Sequence, residues 1–356
     1  MTEKSLTTRQ VCIVLFAYSA ILKLVIYPSI LANISGNDLV FPALFALVVQ
    51  AVMVWSVAFL SSKTEKTFFG LLEGTFGSVT AKIFYALFGL YFLFGAIVPM
   101  NEQQLLVHDA FFDTIPSLGA FIPFFFFSVY AGARSFRNLG RCADMCLPIF
   151  LIIIVAFLVM SFQQAEYSNL LPVLKQPFNT IGAGALASLF RFSDSAFLLV
   201  FLGHFKYKKG DCAKMTVSYL AGGLIVLLFL VIYYSMYGAL TPSRTFMFDN
   251  IAVFFPPIST LGRVDLFLVY VLTVVMLFAI VMHIQACVHC FTLAFGWDKR
   301  AFWSIVANIV LFAVTLIFNH KYTILNNAAN RWFFIPALIF AYLIPVMVWV
   351  LKRRTE

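Results

Sequence analysis

Ten long apolar runs, at about 11–31, 39–60, 81–107, 116–133, 145–162, 181–205, 215–240, 264–294, 301–318 and 332–351, occupy most of this 356-residue chain. Their lengths match the roughly 20 residues that carry an α-helix through the ~30 Å hydrocarbon core of a bilayer. In that solvent every backbone polar group needs an internal partner, so apolar runs of this length are expected to be helical. Hydrophobic residues make up 62% of the chain and charged residues 11%, with a mean hydropathy of +0.96, which excludes an ordinary water-soluble globule. The expected fold class is an all-α integral membrane protein with ten transmembrane helices, forming a single membrane domain over residues 1–356.

The charges give a second reading of the same count. With the N-terminus taken as cytoplasmic, seventeen of the 24 Lys and Arg residues fall in inside segments and five in outside loops; Lys23 and Arg191 lie within spans. That asymmetry is the positive-inside pattern and implies that both termini are cytoplasmic. The inside group includes GARSFRNLGR, where Arg134, Arg137 and Arg141 share one helical face, and FKYKKGDCAK after the sixth run. Each reads either as a surface facing lipid headgroups or as a docking site for a soluble partner. The net charge of +9 is then accounted for by short loops beside acidic membrane lipid, with no nucleic acid partner. The first run spans and lacks a small-residue cleavage site, so no cleavable signal peptide is expected. The six cysteines sit in spans or at cytoplasmic ends, which argues against a disulfide framework. The stretch 241–263, with Phe248, Phe254, Phe255 and the pair Pro256 and Pro257, reads as a short helix over the outer mouth or as an interfacial loop.

Two runs carry ionisable groups where they are most expensive. Lys23 lies inside the first, five residues before Pro28, and Arg191 and Asp194 lie inside the sixth. Such groups cost about 2.5 to 3.5 kcal/mol each on insertion scales and ordinarily face a cavity, a partner or a ligand. Pro28 removes a backbone donor, so the first helix is expected to distort near residues 24 to 28, freeing carbonyls to which Lys23 can donate. First and sixth of ten is also the spacing of an inverted five-helix repeat with broken helices 1 and 6. Three roles fit Lys23: a structural counter-ion in place of a bound cation, a ligand or proton group, or a side chain snorkelling to an interface. Arg191 and Asp194, at i and i+3, form either a local ion pair or a triad with Lys23 whose net positive charge receives an anionic ligand group. Gly182, Gly184, Ala185, Ala187 and Ser188 permit close helix approach in the same run. Glu102 and His108 are lesser candidates, and Asp265 reads as a helix N-cap or a polar end residue.

The segment HIQACVHC puts His283, Cys287 and Cys290 on one face, but a single helix rarely completes a tetrahedral site, so no metal is expected. No GxSxG, HExxH or P-loop motif occurs, so the chain reads as a non-enzyme with no catalytic residues and no cofactor.

Several short motifs, in this order along the chain, resemble a known family: Pro28; Thr114 and Pro116 in DTIP; Arg141 then Pro148; NLLPVL at 169–174; the basic stretch Lys206 to Lys209; and GALTPS at 238–243. Together with length and layout they resemble the B-subunit permeases of bacterial spore germinant receptors, within the amino acid-polyamine-organocation transporter superfamily. The resemblance implies a leucine-transporter-like inverted repeat, with a small nutrient such as an amino acid held between the unwound parts of helices 1 and 6. It also implies assembly with a larger membrane A subunit and a lipid-anchored C subunit in the inner spore membrane. Lys23, Pro28, Arg191, Ser193, Asp194 and Glu102 are the expected ligand-binding residues. The family's Gly-x-Gly before the first proline reads Ile21, Leu22, Lys23 here, so either Lys23 takes over anion binding or the pocket no longer receives an amino acid. The acidic residue at the second break corresponds to Asp194. The competing reading is an autonomous secondary transporter of amino acids or related small solutes.

Overall fold

The computed structural model describes residues 6–111, 117–243, 264–318, 321–328 and 332–347. Helix α1 (Thr8–Ile21) opens with a capping box, in which Gln10 N–H donates to Thr7 Oγ1 (3.3 Å) and Thr7 N–H to Gln10 Oε1 (3.1 Å). It stops at Ile21, and α2 (Tyr27–Ser35) resumes after five non-helical residues. The distortion therefore lies at 22–26, slightly earlier than Pro28 alone predicts. The reason is that Pro28 stands in the first turn of α2, where a missing N–H loses no helical bond and the fixed φ favours helix.

The chain continues through α3 (Val40–Ser61), a short α4 (Phe68–Phe76) capped by Thr67, and the 34-residue α5 (Ser78–Phe111). Helices α6 (Ser117–Gly132) and α7 (Phe136–Phe162) follow. Helix α7 starts well before the expected boundary at 145, so Arg137 and Arg141 occupy its first turns and Arg134 the turn before it; the three do not form a separate surface helix. The sixth run is split into α8 (Phe178–Arg191) and α9 (Ser195–Phe201), separated by residues 192–194. Helices α10 (Asp211–Tyr237), α11 (Val264–Phe295), α12 (Arg300–Phe318), α13 (Tyr322–Ala328) and α14 (Phe334–Met347) complete the described chain. Within α14 the hydrogen bonding widens to a π-helical pattern over Leu338–Leu343.

Seven helical stretches among the described residues are long and apolar enough to cross a membrane, taking α8 with α9 as one. Shorter apolar helices, Thr8–Ile21, Phe121–Gly132 and Phe334–Met347, fall in the first, fourth and tenth apolar runs. The first is shortened by its break, while the other two runs extend past the described residues. Of the stretch 241–263, residues 244–263 lie outside the description, as do Thr114, Pro116 and the side chain of Asp265. The chain is an integral membrane protein built of helices.

Burial sorts these helices by position. The span within α11 is 89% buried, against 22% for the span within α7 and 28% for α12, so α11 is central and the other two face outward. Helix α11 packs along α5, α1 lies between α10 and α7, and α3 bridges α10 and α8. Because lipid is as apolar as the side chains, close backbone approach matters more here than hydrophobicity. A Cβ on Gly222 of α10 would meet Ser19 Oγ and the Phe16 carbonyl of α1, and one on Gly184 of α8 would meet Ser35 and Pro42. Gly182, in contrast, faces open space.

Polar tethers gather the loops into two groups. At one end, Thr8 Oγ1 donates to Asp211 (2.6 Å), Leu6 N–H to the His204 carbonyl (2.8 Å), and Arg9 pairs with Asp144 (3.1 Å). At the other, Asp38 accepts from the N–H groups of Leu174 (2.6 Å) and Gln176 (2.8 Å), and Asn169 Nδ2 donates to the Ser235 carbonyl (2.8 Å). The first group carries the basic segments around 134–141 and 206–214, and the second carries NLLPVL.

Candidate functional site at two helix breaks

A helix interrupted inside a bundle exposes carbonyls and N–H groups that the bundle must satisfy. The two breaks, at 22–26 and 192–194, do so through each other. Lys23 Nζ donates to Asp194 Oδ2 (2.9 Å), Asp194 Oδ1 (3.1 Å) and the Tyr18 carbonyl (3.2 Å). An ammonium has three protons, so these three acceptors use all of them. The ammonium also lies 4.8 Å from the centre of the Phe192 ring. Tyr219 of α10 donates its hydroxyl to Asp194 Oδ2 (2.8 Å). Lys23 is 1% exposed and Asp194 2%, so this is a sealed ion pair.

Neighbouring helices close the remaining valences. Tyr342 of α14 donates its hydroxyl toward the carbonyls of Leu189 (2.9 Å) and Phe192 (2.5 Å). Gln50 of α3, with its amide turned to match donors to acceptors, donates to the Phe192 carbonyl (3.2 Å). Its oxygen then accepts from the N–H groups of Asp194 (2.9 Å) and Ser195 (2.5 Å). Ser195 Oγ donates to the Ala341 carbonyl (2.6 Å).

Arg191 takes a different direction from Asp194. Its Nη1 donates to Glu102 Oε1 of α5 at 3.2 Å, and the charges form two inter-helix pairs, Lys23 with Asp194 and Arg191 with Glu102. Neither the local i, i+3 pair nor the shared triad is realised, because the break between residues 191 and 194 removes the helical geometry that would align them. Arg191 sits in the last turn of α8, where a cation opposes the negative end of the helix dipole.

Beside these pairs lies a cavity of about 70 Å³. Its polar wall consists of Arg191, Ser193, Tyr18, Tyr91 and His283. Tyr91 donates its hydroxyl to Ser193 Oγ (3.1 Å), and Tyr18 OH meets His283 Nε2 at 2.5 Å while His283 Nδ1 faces the Ala279 carbonyl (3.1 Å). The ring therefore carries its proton on Nδ1 and accepts from Tyr18. Phe94, Phe190 and Phe333 supply an apolar wall. Gly95 leaves room for the imidazole, since a Cβ there would stand 3.0 Å from His283 Cδ2.

Of the six residues singled out from sequence, Arg191 and Ser193 are on the cavity wall. Lys23 and Asp194 form the pair joining the breaks, Glu102 holds Arg191, and Pro28 starts α2. Sequence reasoning missed Gln50, Tyr219, Tyr91 and Tyr342, and considered His283 only as a metal ligand. Gln50 carried a signal, being a lone amide midway through the run at 39–60, subject to the same cost argument that marks Lys23. The tyrosines carried none, since aromatic residues are ordinary in such helices.

A many-spanning helical protein with a small polar cavity at paired helix breaks belongs to the permease-like class in its architecture. Residues 5–323 match the family model described as spore germination protein, and no curated protein matches the chain. The chain belongs to this spore germination permease family, as a germination-related, permease-like membrane protein.

Proposed function

We propose that the protein is the germinant-sensing B subunit of a spore germination receptor, binding a small nutrient such as an amino acid between helices 1 and 6. The observation that carries this reading is the cavity beside both breaks, walled by a cation, hydroxyls, an imidazole and aromatic rings. Arg191 receives the nutrient's anionic group, Ser193 and Tyr91 orient it, and Glu102 holds the guanidinium in place. Lys23 fills the space left by the absent Gly-x-Gly and holds the breaks shut, since its three protons are already taken. At about 70 Å³ the cavity is far below the several hundred Å³ of ordinary small-molecule pockets, so admission of a nutrient requires the half-helices to part. The rest of the proposal is ten spans in one membrane domain over residues 1–356, arranged as a leucine-transporter-like inverted repeat. Both termini are cytoplasmic, and A and C subunits are the partners in the inner spore membrane.

A thermal-shift screen of small nutrients on the detergent-purified chain tests this, because a ligand that binds only the folded state stabilises it. At least one amino acid or similar nutrient raises the unfolding temperature, and Arg191→Gln abolishes the shift. A shift that survives Arg191→Gln places the ligand elsewhere. The ion pair bridging two breaks is also what an autonomous secondary transporter would use for coupling, and concentrative uptake by the purified chain alone in vesicles would decide for that reading.

A further inference from the structure

Away from the central cavity, α6, α7 and α11 enclose a groove of about 620 Å³. Along α11 its wall is the stripe Val274, Leu277, Phe278, Val281 and Gln285, a single helical face. The eleven helical steps from Val274 to Gln285, at 1.5 Å each, make this stripe about 16 Å long, roughly half the ~30 Å hydrocarbon thickness, or one leaflet. The groove changes character along its length. Away from Gln285 the lining includes Val274 of α11 and Phe127 of α6, both exposed and apolar. At the other end stand Arg134 and Arg141, on the side of the molecule where the basic segments gather.

Three features make the basic end more than a patch of surface charge. Arg134 is held by the ring of Tyr130, its Cζ 4.2 Å from the centroid, rather than by an acid. Among the described residues no carboxylate pairs with Arg134 or Arg141, and the nearby Asp144 is already engaged by Arg9 at 3.1 Å. Gln285, 4% exposed, donates Nε2 to the Ala131 carbonyl (2.7 Å), which leaves its Oε1 a buried acceptor with no partner among the described residues. A buried acceptor without a donor is costly to leave unmade.

We propose that this groove binds one acidic phospholipid whose headgroup bears hydroxyls. The phosphate lies between Arg134 and Arg141, a headgroup hydroxyl donates to Gln285 Oε1, and an acyl chain lies along the α11 stripe. Charge fixes the acidic class, the orphan acceptor asks for a headgroup donor, which a hydroxyl supplies without cancelling the lipid's negative charge, and the one-leaflet length fits a chain rather than a soluble anion.

Native mass spectrometry of the detergent-purified chain, titrated with phosphatidylglycerol, phosphatidic acid or phosphatidylcholine, reads out retained lipid. Phosphatidylglycerol is retained in preference to the other two. Arg134→Gln and Arg141→Gln each weaken its binding about fivefold, and the double variant roughly thirtyfold, with phosphatidylcholine unaffected. Both arginines are exposed, so these variants retain the fold. Gln285→Leu removes the preference for phosphatidylglycerol over phosphatidic acid. Equal retention of phosphatidylglycerol and phosphatidylcholine by the wild type, or undiminished phosphatidylglycerol binding in the double variant, overturns the proposal. Competition by soluble glycerol phosphate as effective as by the lipid would reduce the groove to a simple anion site and overturn it too.

Discussion

Lys23 is an ammonium placed where hydration is absent, and its neighbours replace that hydration bond for bond. The Tyr18 carbonyl and both oxygens of Asp194 take its protons, and the Phe192 face covers one side. Buried pairs of this kind add little net stability relative to a well-packed apolar pair, yet removing one member strands the other charge. Lys23→Met and Asp194→Asn therefore each destabilise the protein by about 3 to 5 kcal/mol in the case of a stranded charge, more for Lys23→Met than for Asp194→Asn. The double variant recovers most of the loss. Thermal unfolding of the four proteins in one detergent checks this as a double-mutant cycle. Simple additivity of the two losses would show that the residues do not act as a pair.

At the scale of elements, the backbone groups freed at the second break are satisfied by neighbouring helices. Gln50 on α3 and Tyr342 on α14 reach into the second break and satisfy the backbone freed at Phe192 and Asp194. Gln50→Leu preserves volume but leaves the N–H groups of Asp194 and Ser195 without their acceptor and takes one of two donors from the Phe192 carbonyl, so it lowers stability by about 1 to 3 kcal/mol. Amide hydrogen exchange localises the effect: Asp194 and Ser195 lose protection while α12 keeps its own. Unchanged protection at residues 194 and 195 would mean that Gln50 does not hold the break. The location of both breaks was legible in the sequence, because Lys23, Pro28 and the pair Arg191 and Asp194 offend against the apolar pattern. What each charge pairs with was not legible. A pairing such as Arg191 with Glu102 depends on how α8 rotates past α5, and local spacing favoured the wrong partner, Asp194. The start of α7 was misjudged because the charges of Arg137 and Arg141 set their helical face apart from the apolar run at 145, although arginines at a helix end extend into the interface while the same helix continues.

For the whole molecule, the tethers sort loops to two ends without saying which end faces the cytoplasm, and the proposed orientation rests on the basic residues. Lys175 and Lys208 are both exposed and belong to opposite ends. In a background stripped of its native cysteines, Lys175→Cys is labelled by a membrane-impermeant maleimide on intact cells. Lys208→Cys is labelled only after the membrane is opened. The reverse pattern would invert the molecule and remove the basis for cytoplasmic termini.

The bond between Lys23 and Asp194 has one more consequence. Because a single pair spans both interruptions, the two half-helix junctions have a shared latch rather than one apiece. Loosening either junction strips the other of its counter-charge, so a half-released form carries an isolated ion in an apolar interior and is scarcely populated. A chain wired in this way behaves as a threshold device: small disturbances are absorbed, and a sufficient one trips both junctions together.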